Sequence, residues 1–212
     1  MMLRLRVSFP DRPGALGQAA RVLGTLGADI LQVTVLEREL GRAVDDFTVS
    51  WPGTVDAETV RDRLSGVPGM RVEGVWPTRE IPGTAPDYDL LKHVAADPGR
   101  AFATLVDAMP DLVSAEWAVI LSPESGDLLH RSWQAPVALD ETGGLVGVKA
   151  ADLATLRPAV LDSGRHRLMS LPVPDTSRHL VLARGDGPPF HRAELDRATR
   201  VLEIVSTMSR SS

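Results

Sequence analysis

The Asp-Arg-Pro-Gly junction at residues 11–14 is the stretch of this sequence with the clearest chemical potential. We predict that Asp11 caps a helix and that Pro13 occupies its first turn, where a missing N–H is tolerated. Gly14 leaves the helix start without a side chain, so a ligand can approach the backbone closely. The N–H groups of Gly14, Ala15 and Leu16, helped by the helix dipole, are therefore predicted to bind an anion such as a carboxylate.

Other reactive residue types form no recognisable motif. The chain has five histidines and no cysteine, which excludes disulfides and thiolate chemistry. His191 and Glu194 could share a metal at a helix start, but no HExxH pattern accompanies them, and we favour a solvated helical turn. No Gly-x-Ser-x-Gly motif is present, and the glycine-rich residues 143–149 lack phosphate-loop spacing. We therefore predict no catalytic residue, no metal site and no cofactor.

Two adjacent carboxylates, Asp45 and Asp46, fall within a predicted strand. Neighbouring side chains on a strand point to opposite faces, so this pair is not expected to act as a general acid and base. We interpret both as solvated groups or as groups at the rim of a dimer.

The elements around the junction follow from hydrophobic periodicity. Before it, apolar and polar residues alternate from Leu3 to Phe9, which is typical of a half-buried strand; after it, the spacing becomes helical. Two further strands, Ile30–Arg38 and Ala43–Trp51, form a hairpin. A second helix begins near Asp56, and a last strand follows at Met70–Trp76. This βαββαβ order predicts a ferredoxin-like α+β domain, an antiparallel four-stranded sheet with two helices on one face.

The first third of the chain, from Met1 to about Trp76, resembles the ACT domain, a small-molecule-sensing module of amino-acid metabolism. The matching residues are Asp11, Arg12, Pro13, Gly14, Leu16 and the turn at residues 27–30, and Asp45-Asp46-Phe47 is similar to ACT domains of the nitrogen-regulatory type.

The resemblance implies that a free amino acid binds at the helix start, with Asp29, Ile30 and Gln32 beside it. ACT sites for serine-like ligands tend to carry asparagine where this chain has Asp29. A carboxylate accepts hydrogen bonds but cannot donate them, so Asp29 would attract an ammonium group or a basic side chain. Gln32 is a candidate side-chain contact. The resemblance also implies a homodimer, formed edge to edge or through helix faces, and the apolar residues on both sides of the second strand agree with that.

The remaining sequence predicts a linker and a second α+β domain. Residues 77–87 contain three prolines and a glycine, which is typical of a stiff interdomain linker. Residues 88–212 read as helices, a hairpin, a glycine-rich middle, a helix over Ala151–Leu161, a second hairpin and a terminal helix. This order is similar to the GAF domain, a fold often used for small-molecule sensing and dimerisation.

Composition limits the possible partners. The net charge is −5, which disfavours a nucleic-acid partner. No apolar run approaches the roughly 20 residues needed to cross a bilayer, so we expect no membrane partner. The absence of cysteine fits a cytoplasmic protein.

Three functions stay open at this point. The preferred one is a non-catalytic regulatory protein that senses a small molecule, an amino acid, through its N-terminal domain. The second is a dimerisation or protein-interaction module without a ligand. The third is an enzyme whose active site lies in the C-terminal half, which would need a cluster of titratable residues that the sequence does not reveal.

Overall fold

A computed structural model describes residues 1–53, 56–78, 83–185 and 187–210. The chain divides into two compact units, Met1–Thr84 and Ala85–Ser212. Within the described ranges, no helix is both long and apolar enough to cross a membrane.

Unit 1 has the predicted βαββαβ order, which confirms the α+β class. Its elements are β1 (Met2–Pro10), α1 (Ala15–Thr25), β2 (Asp29–Glu39), β3 (Arg42–Ser50), α2 (Ala57–Ser65) and β4 (Arg71–Pro77). The strands form one antiparallel sheet in the order β2-β3-β1-β4. Asp56 caps α2 by accepting hydrogen bonds from the N–H groups of Glu58 and Thr59, as expected for an aspartate at this position.

One face of this sheet forms the core of unit 1. In the pairing of β1 with β3, Leu5 lies opposite Phe47 and Leu3 opposite Val49, so these side chains share a face. The apolar face of α1 packs on them through Ala15, Ala19 and Leu23, and that of α2 through Val60 and Leu64. The apolar residues that produce the helical and strand periodicities therefore pack together in one hydrophobic layer.

The opposite face of the sheet carries a buried ion-pair network. The Arg6 guanidinium donates two hydrogen bonds to the Asp46 carboxylate, at 2.8 and 2.9 Å. Arg4 Nε lies 3.2 Å from the same carboxylate. Asp45 and Asp46 are only 3% and 1% exposed, so the interpretation of both as solvated or rim groups was wrong. The reason is that strand β3, which carries both residues, is buried on both faces over most of its length.

Unit 2 contains a five-stranded antiparallel sheet in the order β6-β5-β11-β10-β9 and a two-stranded ribbon. Its elements are α3 (Pro86–Ala96), α4 (Ala101–Leu112), β5 (Trp117–Leu121), β6 (Leu128–Arg131), β7 (Gly144–Leu145), β8 (Val148–Lys149), β9 (Ala159–Asp162), β10 (Arg167–Pro172), β11 (His179–Arg184) and α5 (Arg192–Arg210). One hydrophobic cluster joins the helices to the sheet, and a second joins the sheet to the irregular segment before β9.

The predicted helix over Ala151–Leu161 is wrong. A short 3-10 turn at Ala150–Leu153 is followed by an irregular stretch and then by β9. Pro158 lacks the N–H that a helix interior requires, and Leu156 is fully exposed instead of facing a core. The β-branched Val160 pairs with Met169 at the edge of the sheet.

Helix α3 begins two residues earlier than predicted, at Pro86. Asp87, placed in the linker from sequence, belongs to its first turn and forms an ion pair with Arg197 of α5, at 2.7 Å. Within the predicted linker, residues 79–82 lie outside the described residues.

Candidate functional site

The start of helix α1 is built around Gly14. Gly14 is the N-cap residue with φ 85°, a left-handed conformation, and no side chain caps the helix. Such a φ favours glycine strongly. Two predictions are corrected here: Asp11 does not cap the helix, and Pro13 precedes the N-cap instead of lying in the first turn. A tight turn that begins at Pro10 causes both, because the Arg12 N–H donates to the Pro10 carbonyl at 2.9 Å.

Asp11 is directed toward strand β2. Its carboxylate accepts two hydrogen bonds from the Arg38 guanidinium, at 2.7 and 3.2 Å. These bonds and the charge of Asp11 raise the pKa of Arg38. The pair joins the loop before α1 to the end of β2.

The backbone of this helix start offers hydrogen-bond donors. The Ala15 N–H is occupied, because it donates to the Arg12 carbonyl at 3.2 Å. Within the described residues, no acceptor is recorded for the N–H groups of Gly14, Leu16 and Gly17. Of the three amides predicted to bind a carboxylate, those of Gly14 and Leu16 are therefore available.

A cavity of about 370 Å³ opens at this helix start. This volume lies near the lower end of the range for small-molecule pockets. The predicted site residues Asp11, Pro13, Gly14 and Leu16 line it, whereas Ala15 is buried in the core. Six further residues complete the lining: Phe9, Arg12, Val35, Arg38, Ala43 and Asp45. The cavity therefore combines an apolar wall with charges of both signs.

Asp45 is the lining residue that sequence reasoning placed elsewhere. It sits on β3 opposite Val7 of β1 and Val35 of β2, on the face that otherwise forms the apolar core. Its Oδ1 atom is buried and has no hydrogen-bond partner among the described residues. Burial raises the pKa of Asp45, while the positive charge of Arg38 acts in the opposite direction.

Three predicted site residues on β2, Asp29, Ile30 and Gln32, do not line the cavity. Asp29 and Ile30 open β2 and pair with Ser50 and Val49, whereas the cavity lies at the Arg38 end of the strand. Nine residues of extended chain separate these ends by about 30 Å. Gln32 donates a hydrogen bond to Thr34 at 3.2 Å. Within one chain, the structure does not bring Asp29, Ile30 or Gln32 to the helix start.

The histidines of unit 2 have structural surroundings. His93 Nδ1 lies 2.7 Å from the Asp89 carbonyl, and His179 Nε2 lies 3.0 Å from the Thr155 carbonyl. His130 stacks on Phe102, and burial lowers its pKa. Across the part of the chain that the structure describes, no group of three His, Asp or Glu side chains could hold a metal.

His191 and Glu194 form a helix start instead of a metal site. The Glu194 carboxylate accepts hydrogen bonds from the His191 N–H and from the Arg184 guanidinium, both at 2.7 Å. Glu194 is buried, so the interpretation of this segment as a solvated helical turn was also wrong. The pair instead anchors α5 to the end of β11.

Comparisons with known proteins leave the family open. No family model and no curated protein matches the sequence. A formyltetrahydrofolate deformylase from Pseudomonas putida is similar in structure over 45% of this chain and 38% of its own length, with 16% identity and a TM-score of 0.31. A protein from Galdieria sulphuraria described as unknown is similar over 99% and 92%, with 11% identity and a TM-score of 0.33.

Proposed function

We propose that this chain is a non-catalytic regulatory protein that senses a small molecule, an amino acid, in the cavity at the start of α1. The observation that carries the proposal is the cavity itself, with unoccupied backbone donors at a helix N-terminus on one side and a buried carboxylate on another. An amino acid carries one group for each, a carboxylate and an ammonium.

The proposal includes the ACT-like character of unit 1 and a GAF-like role for unit 2, both of which rest on sequence resemblance. It also includes a homodimer in the cytoplasm that uses no cofactor and contacts neither nucleic acid nor membrane. Support for these finer points comes from the cysteine-free composition, the net charge of −5 and the exposed edge strand β2.

Calorimetry against the common amino acids tests the sensor. At least one should bind to the wild type, and Gly14→Val should abolish that binding, because a branched side chain at the helix start obstructs approach to the amides. The φ of 85° at Gly14 also makes valine strained. Gly27→Val is the matched control, since Gly27 has φ 80° and open space but lies at the opposite end of α1.

The control should retain binding. Failure of every amino acid to bind would refute the sensor, and equal binding by wild type and Gly14→Val would show that the site lies elsewhere. Circular dichroism of both variants separates a lost site from a lost fold.

A protein-interaction module without a ligand is the second candidate. The observation in its favour is the apolar surface of β2, where Leu31, Val33 and Val35 are exposed. Isolated exposed apolar residues are common, but a row of them on an edge strand marks a surface that can pair. The same calorimetry discriminates the two, because a pure interaction module shows no heat with any amino acid.

A further inference from the structure

We propose that Asp45 is the ammonium-binding residue of the cavity. This role restricts the ligands of the cavity to small molecules that carry a primary amine and a carboxylate. The side chain of such a ligand is apolar and lies between the charged walls. This inference rests on the proposed function and adds a specificity to it. The corresponding 2-hydroxy and 2-oxo acids, which have a similar shape without the amine, are expected to bind more weakly.

The position of Asp45 is the first reason. Because side chains alternate along a strand, Asp45 shares the helix-covered face of the sheet with Ala43 and Phe47. That face is otherwise apolar, and no structural partner among the described residues there requires a carboxylate. Asp45 is 3% exposed, and its Oδ1 has no donor among the described residues. An unsatisfied buried carboxylate oxygen is costly, and a donor supplied by a bound ligand would relieve that cost.

The neighbouring charges decide which donor fits. Arg38 lies close enough to affect Asp45, but its guanidinium is held by two hydrogen bonds to Asp11. A ligand ammonium, with three N–H donors and a positive charge, satisfies the carboxylate better than a hydroxyl or a carbonyl does.

The opposite end of the ligand is held by different groups. Gly14 and Leu16, whose N–H groups have no recorded acceptor among the described residues, line the cavity at the start of a helix of 11 residues whose N-terminus bears a partial positive charge. Arg12 lines the same cavity, and no hydrogen bond or ion pair is recorded for its side chain in the described structure. These donors suit the α-carboxylate.

The rest of the lining is apolar and selects the side chain. Phe9, Leu16, Val35 and Ala43 contribute the remaining wall of the cavity. Burial of apolar area favours an aliphatic side chain there by about 25 cal/mol per Å². An acidic side chain would meet Asp11 and Asp45, which disfavours it.

Calorimetry with matched pairs of ligands tests the assignment. The probes are L-alanine against L-lactate and L-leucine against L-2-hydroxy-4-methylpentanoate. For wild type, the amine of a pair should bind at least about tenfold more tightly, since a hydrogen bond to a charged group contributes enough to produce that ratio.

Two variants complete the experiment. Asp45→Asn keeps the shape and removes the charge, so it should weaken amine binding and bring the two members of a pair to similar affinity. Asp62→Asn on α2 makes the same change at an exposed position outside the cavity and should behave as wild type. Melting curves confirm that both variants are folded.

The outcomes separate the two proposals. If amines and hydroxy acids bind equally to wild type, or if Asp45→Asn binds amines as wild type does, the role of Asp45 is refuted while the sensor stands. If no member of any pair binds and no other amino acid does, the sensor itself fails, and the inference fails with it.

Discussion

Asp45 and Asp46 are adjacent residues whose carboxylates have opposite surroundings. Asp46 is held by Arg4 and Arg6 on one face of the sheet, whereas Asp45 faces the cavity with an unpartnered oxygen. A buried charge with a partner stabilises its surroundings, and one without a partner is a cost to the fold. A costly group that completes a binding cavity is the pattern expected of a functional residue.

The contrast predicts opposite effects of the same substitution on stability. Asp45→Asn should raise the free energy of unfolding of the ligand-free protein at pH 7 by about 1 kcal/mol, because an unpaired buried charge is removed. Asp46→Asn should lower it by about 3 kcal/mol, because two buried guanidinium groups lose their counter-charge. Urea denaturation of both variants measures the difference, and destabilisation by Asp45→Asn would show that its carboxylate has a structural partner.

The stability advantage of Asp45→Asn should also depend on pH. Burial raises the pKa of Asp45 in the folded state above its ordinary value, so the folded protein binds this proton more tightly than the unfolded chain does. Wild-type stability contributed by this group is therefore present below the ordinary aspartate pKa of about 3.9 and is lost as pH rises toward the folded-state pKa.

The advantage of the variant should accordingly be small near pH 4 and reach its full value at neutral pH. The charges of Arg38, Asp11 and Asp46 act on the same carboxylate and remain in both proteins, so their effects largely cancel in the comparison. Asp56 and Asp140, whose pKa values are lowered by hydrogen bonds, are also present in both proteins, so their contributions to the pH dependence of stability cancel. An advantage that stays constant from pH 4 to pH 7 would contradict the raised pKa of Asp45.

At the scale of elements, the sheet of unit 1 is open, and strand β2 forms one of its edges. It pairs with β3 on one side, and its residues alternate between exposed and half-buried along most of its length. An unpaired edge with apolar side chains is a template for another strand, which makes β2 the expected contact in a homodimer.

Val33→Lys tests this contact, because Val33 is exposed on β2 but does not line the cavity. Sedimentation of wild type at micromolar concentration should give twice the 22.8 kDa chain mass, and the lysine should shift the protein toward the single chain through charge repulsion at the edge. Leu156→Lys, at a fully exposed position in unit 2, should leave the mass unchanged. A wild-type species of 22.8 kDa alone would rule out the dimer.

Much of unit 1 could be predicted from sequence, because alternation and helical spacing were both strong there. The same alternation contained the signal for Asp45, which stands two residues before Phe47 and therefore shares its face. The cavity could not be predicted, since it depends on Arg38 of β2 meeting Asp11 across 27 residues. In unit 2, Leu153, Leu156 and Val160 imitate helical spacing, and strand pairing with β10 determines the outcome instead.

At the scale of the whole molecule, the two units predict a protease-sensitive junction. Residues 78–85, between β4 and α3, join them, and Arg79 offers trypsin a site there. Exposed segments with few apolar residues are the usual sites of limited cleavage. Brief digestion should therefore yield fragments of about 79 and 133 residues, identified by mass. Preferred cleavage within α1, with the junction intact, would indicate a single merged core.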